Sequence, residues 1–273
     1  MGIIDASVKP IEQAKGFQGI CKHIERCGRI CYKSEDRISE NSAQKFVDNL
    51  ISRGHTAMLE HGTVYLRIPF DTDFDYRDHI AKIIGSKYSF TNTNDHKNFW
   101  VTTNMRVMVE TFPECYKDIM EKYALDEPDI NHEKRLTAHF IISRSIANEF
   151  VRHRVFSFAQ ESTRYVNYGK KGLTFIYPEW TKDDENFAAK LEWESIMEAI
   201  SDYYERLSKY DNLKPQDIRG ILPGDLKTEL VMTGTMAQWE GFFDLRLREV
   251  TGKAHPDAKA IANEWYKIYE KDC

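Results

Sequence analysis

Three arginines and a histidine fall within the thirteen residues from Arg152 to Arg164, interleaved with Ser157, Gln160, Glu161, Ser162 and Thr163 and followed by Tyr165. Arginine's planar fork matches phosphate oxygens two at a time and lies flat on aromatic rings. The hydroxyls add further donors. This is the chemistry of a pocket for a phosphorylated, aromatic ligand. The competing reading is structural: Arg152 and Arg154 end a helix and neutralise its dipole. Residue chemistry leaves both open. Ser162 has no base and orienting partner near it in sequence, so it reads as a ligand-binding hydroxyl rather than a nucleophile. His55, Glu60 and His61, with His153, form a second candidate, a metal set, but no third ligand sits at a usual zinc spacing.

The elements that must position these residues follow from periodicity. Residues 11–32 read as a helix with Ile11, Ala14, Ile20, Ile24 and Cys27 on one face. A second helix runs from Ser39 to Arg53, stopped by Gly54. Residues 62–69 alternate as a half-buried strand, Val64, Leu66 and Ile68 against Thr63, Tyr65 and Arg67. Residues 71–98 are polar and turn-rich, an excursion with one short helix at 76–84. Helices are expected at 113–123, 144–152, 186–209, from Pro215 to near Pro223, and at 239–248 and 257–271. Strands are expected at 136–143, 173–177 and within 226–235. Phe187, Leu191, Ile196, Ile200, Tyr203 and Leu207 mark the apolar positions of the long helix, and Trp239 and Trp265 read as core. Strands and helices interleave without regular βαβ units, so the fold class is α+β.

Composition narrows the function. The chain has 273 residues, 41% of them hydrophobic and 30% charged, with a net charge of −5. That is a globular mixture without a global field for nucleic acid or an anionic membrane. A nucleic-acid module built on the basic loop Arg152–Arg164 stays open as an alternative, as does a metal hydrolase using the histidines. Cys21, Cys27, Cys31, Cys115 and Cys273 include no C-x-x-C pair and read as reduced thiols. The first sixteen residues lack a signal-peptide pattern and no apolar run approaches a membrane span, so a cytoplasmic location is expected.

The stretch from Arg152 resembles the signature of the flavin-dependent thymidylate synthases: Arg-His-Arg, two variable residues, Ser, one variable, Asn-Glu, one variable, Ser, one variable, Arg-Tyr. It matches at Arg152, His153, Arg154, Ser157, Ser162, Arg164 and Tyr165, and departs at Ala159 and Gln160. Leu59-Glu60-His61 resembles the family's entry into a flavin-contacting strand. Residues 219–223 resemble its Arg-x-x-Leu-Pro element, and residues 242–246 its Phe-x-x-Leu-Arg element. Between Thr235 and Gly241 the family's Asn-x-Arg pattern is absent.

The resemblance implies one domain over 1–273, with a mixed or antiparallel sheet core flanked by helices and an insertion at about 71–133. It implies reductive methylation of dUMP to dTMP, with methylenetetrahydrofolate giving the carbon, FAD carrying the hydride and NADPH reducing it. No enzyme nucleophile is implied, and no metal, nucleic acid or membrane partner. Arg246 is the implied catalytic residue, activating the uracil electrostatically. Glu149, Arg152, Gln160, Glu161, Ser162, Thr163, Arg164 and Arg219 would hold the nucleotide with it. Thr63, Arg152, His153, Arg154, Gln160, Thr235, Ala237 and Gly241 would face the flavin. A homotetramer with sites at its interfaces is implied as well.

Overall fold

The computed structural model describes residues 1–72, 77–166 and 168–271. In chain order it runs β1 (Gly2–Ile4), β2 (Ser7–Pro10), α1 (Gly16–Tyr32), α2 (Ser42–Ser52), β3 (Thr63–Pro69), α3 (Arg77–Ile84), β4 (Phe90–Asn92), β5 (Asn98–Asn104), α4 (Met105–Thr111), α5 (Tyr116–Tyr123) and β6 (Ala124–Leu125). It continues with β7 (Arg135–Ser143), α6 (Arg144–Phe150), β8 (Ser157–Gln160), α7 (Tyr168–Lys171), β9 (Thr174–Ile176), α8 (Phe187–Leu207), α9 (Pro215–Ile218), β10 (Lys227–Thr235), α10 (Met236–Arg246) and α11 (Pro256–Tyr269). The α+β expectation holds.

Two antiparallel four-stranded sheets organise the chain, ordered β2-β7-β10-β8 and β4-β5-β3-β6. A parallel pair, β1 and β9, ties the first residues to the segment after the signature. In the first sheet β10 lies between β7 and β8, with Thr233 opposite both Thr137 and Ser157. Helices α6, α10 and α11 cover it, packing Phe150, Trp239, Phe242, Phe243 and Trp265 against Phe140 of β7 and its neighbours. Both tryptophans are fully buried, as read from the sequence.

Four expectations need correction. The first helix begins at Gly16, not residue 11. Lys15 is extended, Gly16 sits at φ +72°, and the Ala14 carbonyl lies against Gly19, so residues 11–15 run as a separate segment. β3 is not half-buried, because Thr63, Val64, Tyr65 and Leu66 are all buried in succession. The polar stretch after residue 71 is not a loose excursion. β4 and β5 supply two of the second sheet's four strands, and α3, α4 and α5 share one core with α1 and α2, through Ile24, Val47, Leu66, Val101, Met108 and Phe112. The turn-rich stretch hides this because β5 is buried along most of its length, with Thr102, Thr103 and Asn104 inside. Finally, α8 buries Met197 and Tyr204 and packs Trp193, Ile200 and Leu207, whereas Phe187, Leu191, Ile196 and Tyr203 stay exposed. The short helix expected at 76–84 is present from Arg77, Tyr76 lying outside the described residues.

Candidate active site

The site is built where α6 ends. Ser143 caps α6, its Oγ accepting from the Ile146 N–H at 3.3 Å. After Phe150 the chain tightens: the N–H groups of Arg152, His153 and Phe156 donate to the carbonyls of Glu149, Phe150 and His153. That turn throws Arg152 and Arg154 outward, both exposed, and aims His153 inward. β8 then pairs with β10, which leads through Thr235 into α10.

Arg246, in the last turn of α10, meets the end of α6. Its Nη1 lies 2.5 Å from Glu149 Oε2, its Nη2 donates to the Glu149 carbonyl at 3.1 Å, and its Nε donates to His153 Nε2 at 3.1 Å. The guanidinium also stands 6.0 Å from the Phe150 ring centroid. Burial, with Arg246 beside it, pulls His153 down to about 4. At neutral pH the imidazole is therefore uncharged, and its acceptor Nε2 places the proton on Nδ1. Residues 149, 153 and 246, separate in sequence, form one rigid polar unit.

Beside it runs a shallow groove of about 390 Å³ lined by His153, Val155, Phe156, Ala237, Gln238, Gly241, Phe242 and Leu245. Ala237 and Gly241 thus share a wall with His153, and nothing lies within 4 Å of where a Gly241 side chain would start. A groove lined by Phe156 and Phe242, with exposed Arg152 and Arg154 on either side of His153 in the chain, suits a flat aromatic ring system carrying phosphates. The residues present therefore fit a flavin. Thr235 itself caps α10: its Oγ1 accepts from the Gln238 N–H at 3.2 Å, and the Thr235 N–H donates to Gln238 Oε1 at 2.9 Å. The Ala237 N–H donates to Glu133 at 3.0 Å.

A second corner holds Gln160 to Arg164. Arg164 is exposed, donates from Nε to Gln216 at 3.3 Å, and stands over the Tyr165 ring at 5.4 Å. Arg219, also exposed, follows Gln216 by three residues, so the two predicted nucleotide arginines share this corner. Ser162 Oγ accepts from the Arg164 N–H at 3.3 Å, and Thr163 is buried. The Gln160 carbonyl accepts from the Cys31 thiol at 2.8 Å.

Two predicted contact residues are occupied by the protein itself. Thr63 is buried, and its hydroxyl accepts from Arg135 at 3.2 Å. Arg135 also donates to the Glu60 carbonyl at 3.1 Å and to Ser157 Oγ at 3.2 Å, joining the two sheets at the signature strand. Burial lowers the Arg135 pKa to about 10. Glu161 is buried too: Tyr168 donates to its Oε1 and Lys227 to its Oε2, each at 2.9 Å. Sequence reasoning missed Arg135, Lys33, Lys227 and Glu229: apart from the Lys227–Glu229 pair, two residues apart on β10, their partners are remote in sequence. Ala159, where the pattern prefers Asn, is packed with Cys27, Ile30 and Val231.

The metal set is not assembled. His55 is exposed, Glu60 pairs with Arg106 at 2.6 Å, and the buried His61 shares a hydrogen bond with Thr233 at 2.8 Å. Among the described residues no group of three His, Cys, Asp or Glu is placed to hold a metal. Nor, among them, is any helix long and apolar enough to cross a membrane.

A sequence profile described as "Thymidylate synthase complementing protein" matches residues 130–273. A flavin-dependent thymidylate synthase of Pyrococcus furiosus is 33% identical over 149 residues, 51% of this chain and 59% of that protein. One from Geobacter sulfurreducens is 31% identical over 127 residues, 46% of this chain and 52% of that protein. The chain thus spans little more than half the length of these relatives. Among solved structures, a UMP/dUMP methylase, PolB, from Streptomyces cacaoi bound with 5-Br dUMP aligns over 99% of this chain and 93% of that one, at 14% identity and a TM-score of 0.47.

Proposed function

The chain belongs to the thymidylate synthase complementing protein family, and from that premise we propose that it is a flavin-dependent thymidylate synthase converting dUMP to dTMP. The observation that carries this reading is the Glu149–His153–Arg246 unit set against the apolar groove. In the proposal Ala237, Gly241, His153, Arg152 and Arg154 hold FAD. Bound there, FAD would supply the hydride for a one-carbon unit given by methylenetetrahydrofolate, with NADPH as reductant.

The chain's own residues polarise and position. The uracil edge presents oxygens flanking an N–H, and Arg246 beside Glu149 offers a donor and an acceptor to it. As negative charge develops on the ring, the fixed guanidinium stabilises it, a preorganised effect that costs no reorganisation at the moment of reaction. Arg246 is held on three atoms, so it enters the reaction already aimed. His153, uncharged, accepts from Arg246 without competing for its charge.

The thiols support a route without an enzyme nucleophile. Burial pushes Cys21 and Cys27 up to about 12 and raises Cys31, whose sulfur donates to a carbonyl. None of these three is a ready thiolate. Arg164 and Arg219 take the nucleotide phosphate, with Ser162 and Gln160 nearby. The enzyme works as a homotetramer in the cytoplasm, its sites completed across interfaces.

The test is the visible spectrum of the protein after adding FAD and removing the excess, with and without dUMP. Retained flavin whose bands shift with dUMP, followed by dTMP formation on adding methylenetetrahydrofolate and NADPH, supports the proposal. Failure to retain flavin overturns it.

A further inference from the structure

Behind the signature corner lies a cluster of charges inside the protein. Lys33, Glu161, Lys227 and Glu229 have side chains at most 18% exposed, and His139 joins them. Lys227 Nζ bridges Glu161 at 2.9 Å and Glu229 at 2.7 Å. Lys33 pairs with Glu229 and stands 3.8 Å from Glu161, while His139 Nε2 meets Glu229 Oε2 at 2.8 Å. Lys33 gets there because it terminates α1 in the left-handed region, at φ +51°. Two lysines face two glutamates, so the cluster is balanced, and these neighbours hold Glu229 well below the usual carboxylate range.

Burying four charges is expensive, and such clusters add little net stability over apolar packing. What this cluster does is geometric. Glu161 lies between Gln160 and Ser162. Both its oxygens are taken, Oε2 by Lys227 from β10 and Oε1 by Tyr168 from α7, which reaches back across the turn that carries Arg164. The same stretch is strapped to the end of α1: the Ser162 N–H donates to the Cys31 carbonyl at 3.1 Å, and Cys31 Sγ donates to the Gln160 carbonyl. The Glu161 N–H donates to the Glu229 carbonyl at 2.8 Å.

We propose that Lys227, Lys33 and Tyr168 are positioning residues: through the buried Glu161 carboxylate they fix Ser162 and Arg164 at the corner where Arg164 bonds Gln216, three residues before Arg219, and Glu161 itself is an anchor that does not touch the nucleotide. The proposal rests on the reading of this corner as a nucleotide site. Preorganisation of two like-charged arginines then lowers the cost of binding a phosphate.

The test uses the FAD-loaded protein, with dUMP affinity read from the flavin bands and kcat and KM from steady-state rates. Lys227→Met should raise the dUMP Kd and KM about tenfold, a size usual for coupling inside one network, while kcat moves far less. Lys227→Arg, which keeps the charge, should recover most of the loss. Glu161→Gln combined with Lys227→Met should be no worse than either alone. If Lys227→Met binds dUMP normally and Glu161→Gln alone abolishes binding, Glu161 contacts the nucleotide and the proposal falls. Should Lys227→Met fail to fold, Tyr168→Phe removes a single oxygen and should raise KM in the same direction; an unchanged KM overturns the anchor. Amide hydrogen exchange over residues 160–164 reads the tether without nucleotide. Faster exchange in Tyr168→Phe supports it and unchanged exchange overturns it. A wild type blind to dUMP sinks the functional reading, and the exchange experiment still decides the tether.

Discussion

Arg246 is gripped by Glu149 and His153, so its truncation removes a charge that the surrounding residues were arranged to aim. Arg246→Ala should keep its flavin, because the groove is lined by other residues, and lose roughly 10²- to 10³-fold in kcat, the range for one missing transition-state donor. Near-normal dTMP formation would remove Arg246 from that role. Two other histidines make a different prediction. His23 shares a hydrogen bond with Thr137, Thr137 with Thr233, and Thr233 with His61, a chain of 3.0, 2.8 and 2.8 Å. Burial, the largest cause for each, pulls His23 down to about 4 and His61 to about 3, from an ordinary 6.5. The unfolded chain therefore takes up protons that the folded one refuses. The stability these histidines contribute is whole above pH 6.5 and drains as the pH falls toward their folded values. Between pH 7 and 5 the loss should be roughly 2 kcal/mol for each histidine. Urea unfolding at the two pH values measures it, and equal free energies would show that neither histidine is held neutral.

At the scale of elements, the entry to α1 decides where the signature corner is strapped, since its far end supplies Cys31 and Lys33. Gly19 lies so close to the Ala14 carbonyl that a Cβ there would sit 1.8 Å from the oxygen. A backbone atom cannot swing aside as a side-chain tip can. Gly19→Ala should cost about 1–3 kcal/mol, as overpacking does, seen as a lower thermal midpoint. An unchanged midpoint would mean that residues 11–15 move freely off the helix. This contact also explains a limit of sequence reading. Ile11 and Ala14 fit the helical period of Ile20 and Ile24, yet Gly16, at φ +72°, breaks the run. Strands with a clear pattern, such as 136–143, were legible. β5 was not, because Thr102, Thr103 and Asn104 are buried and blur the alternation. In the site, the compact run from Arg152 to Arg164 was visible by spacing alone. Arg135 and the Lys33–Glu161–Lys227–Glu229 cluster were invisible, since no local period links Lys33, Glu161 and β10, and the Lys227–Glu229 spacing alone marks only one face of a strand.

At the scale of the molecule, the arrangement of apolar surface bears on the proposed tetramer. Ile196 and Tyr203, seven residues apart on α8, lie beside the buried Met197–Tyr204 stripe, and Phe187 and Leu191, four apart, lie on the side away from it. Their exposures are 56%, 60%, 63% and 49%. A helix that presents large apolar side chains outside its buried stripe has surface to cover, and copies of the chain supply matching surface by symmetry. Light scattering should therefore give a mass about four times the 32.0 kDa of one chain. Leu191→Asp with Ile196→Asp should drive it toward the monomer with little loss of secondary structure, because neither side chain is in the core. If the sites are completed across interfaces, that monomer should also lose flavin. Arg152→Ala and Arg164→Ala chains, each inactive alone, should then regain turnover when unfolded and reassembled together, since some sites would combine an intact Arg152 with an intact Arg164. Mixed oligomers without recovered activity would place both arginines of a site on one chain, and a monomer that turns over dUMP would end the shared-site proposal.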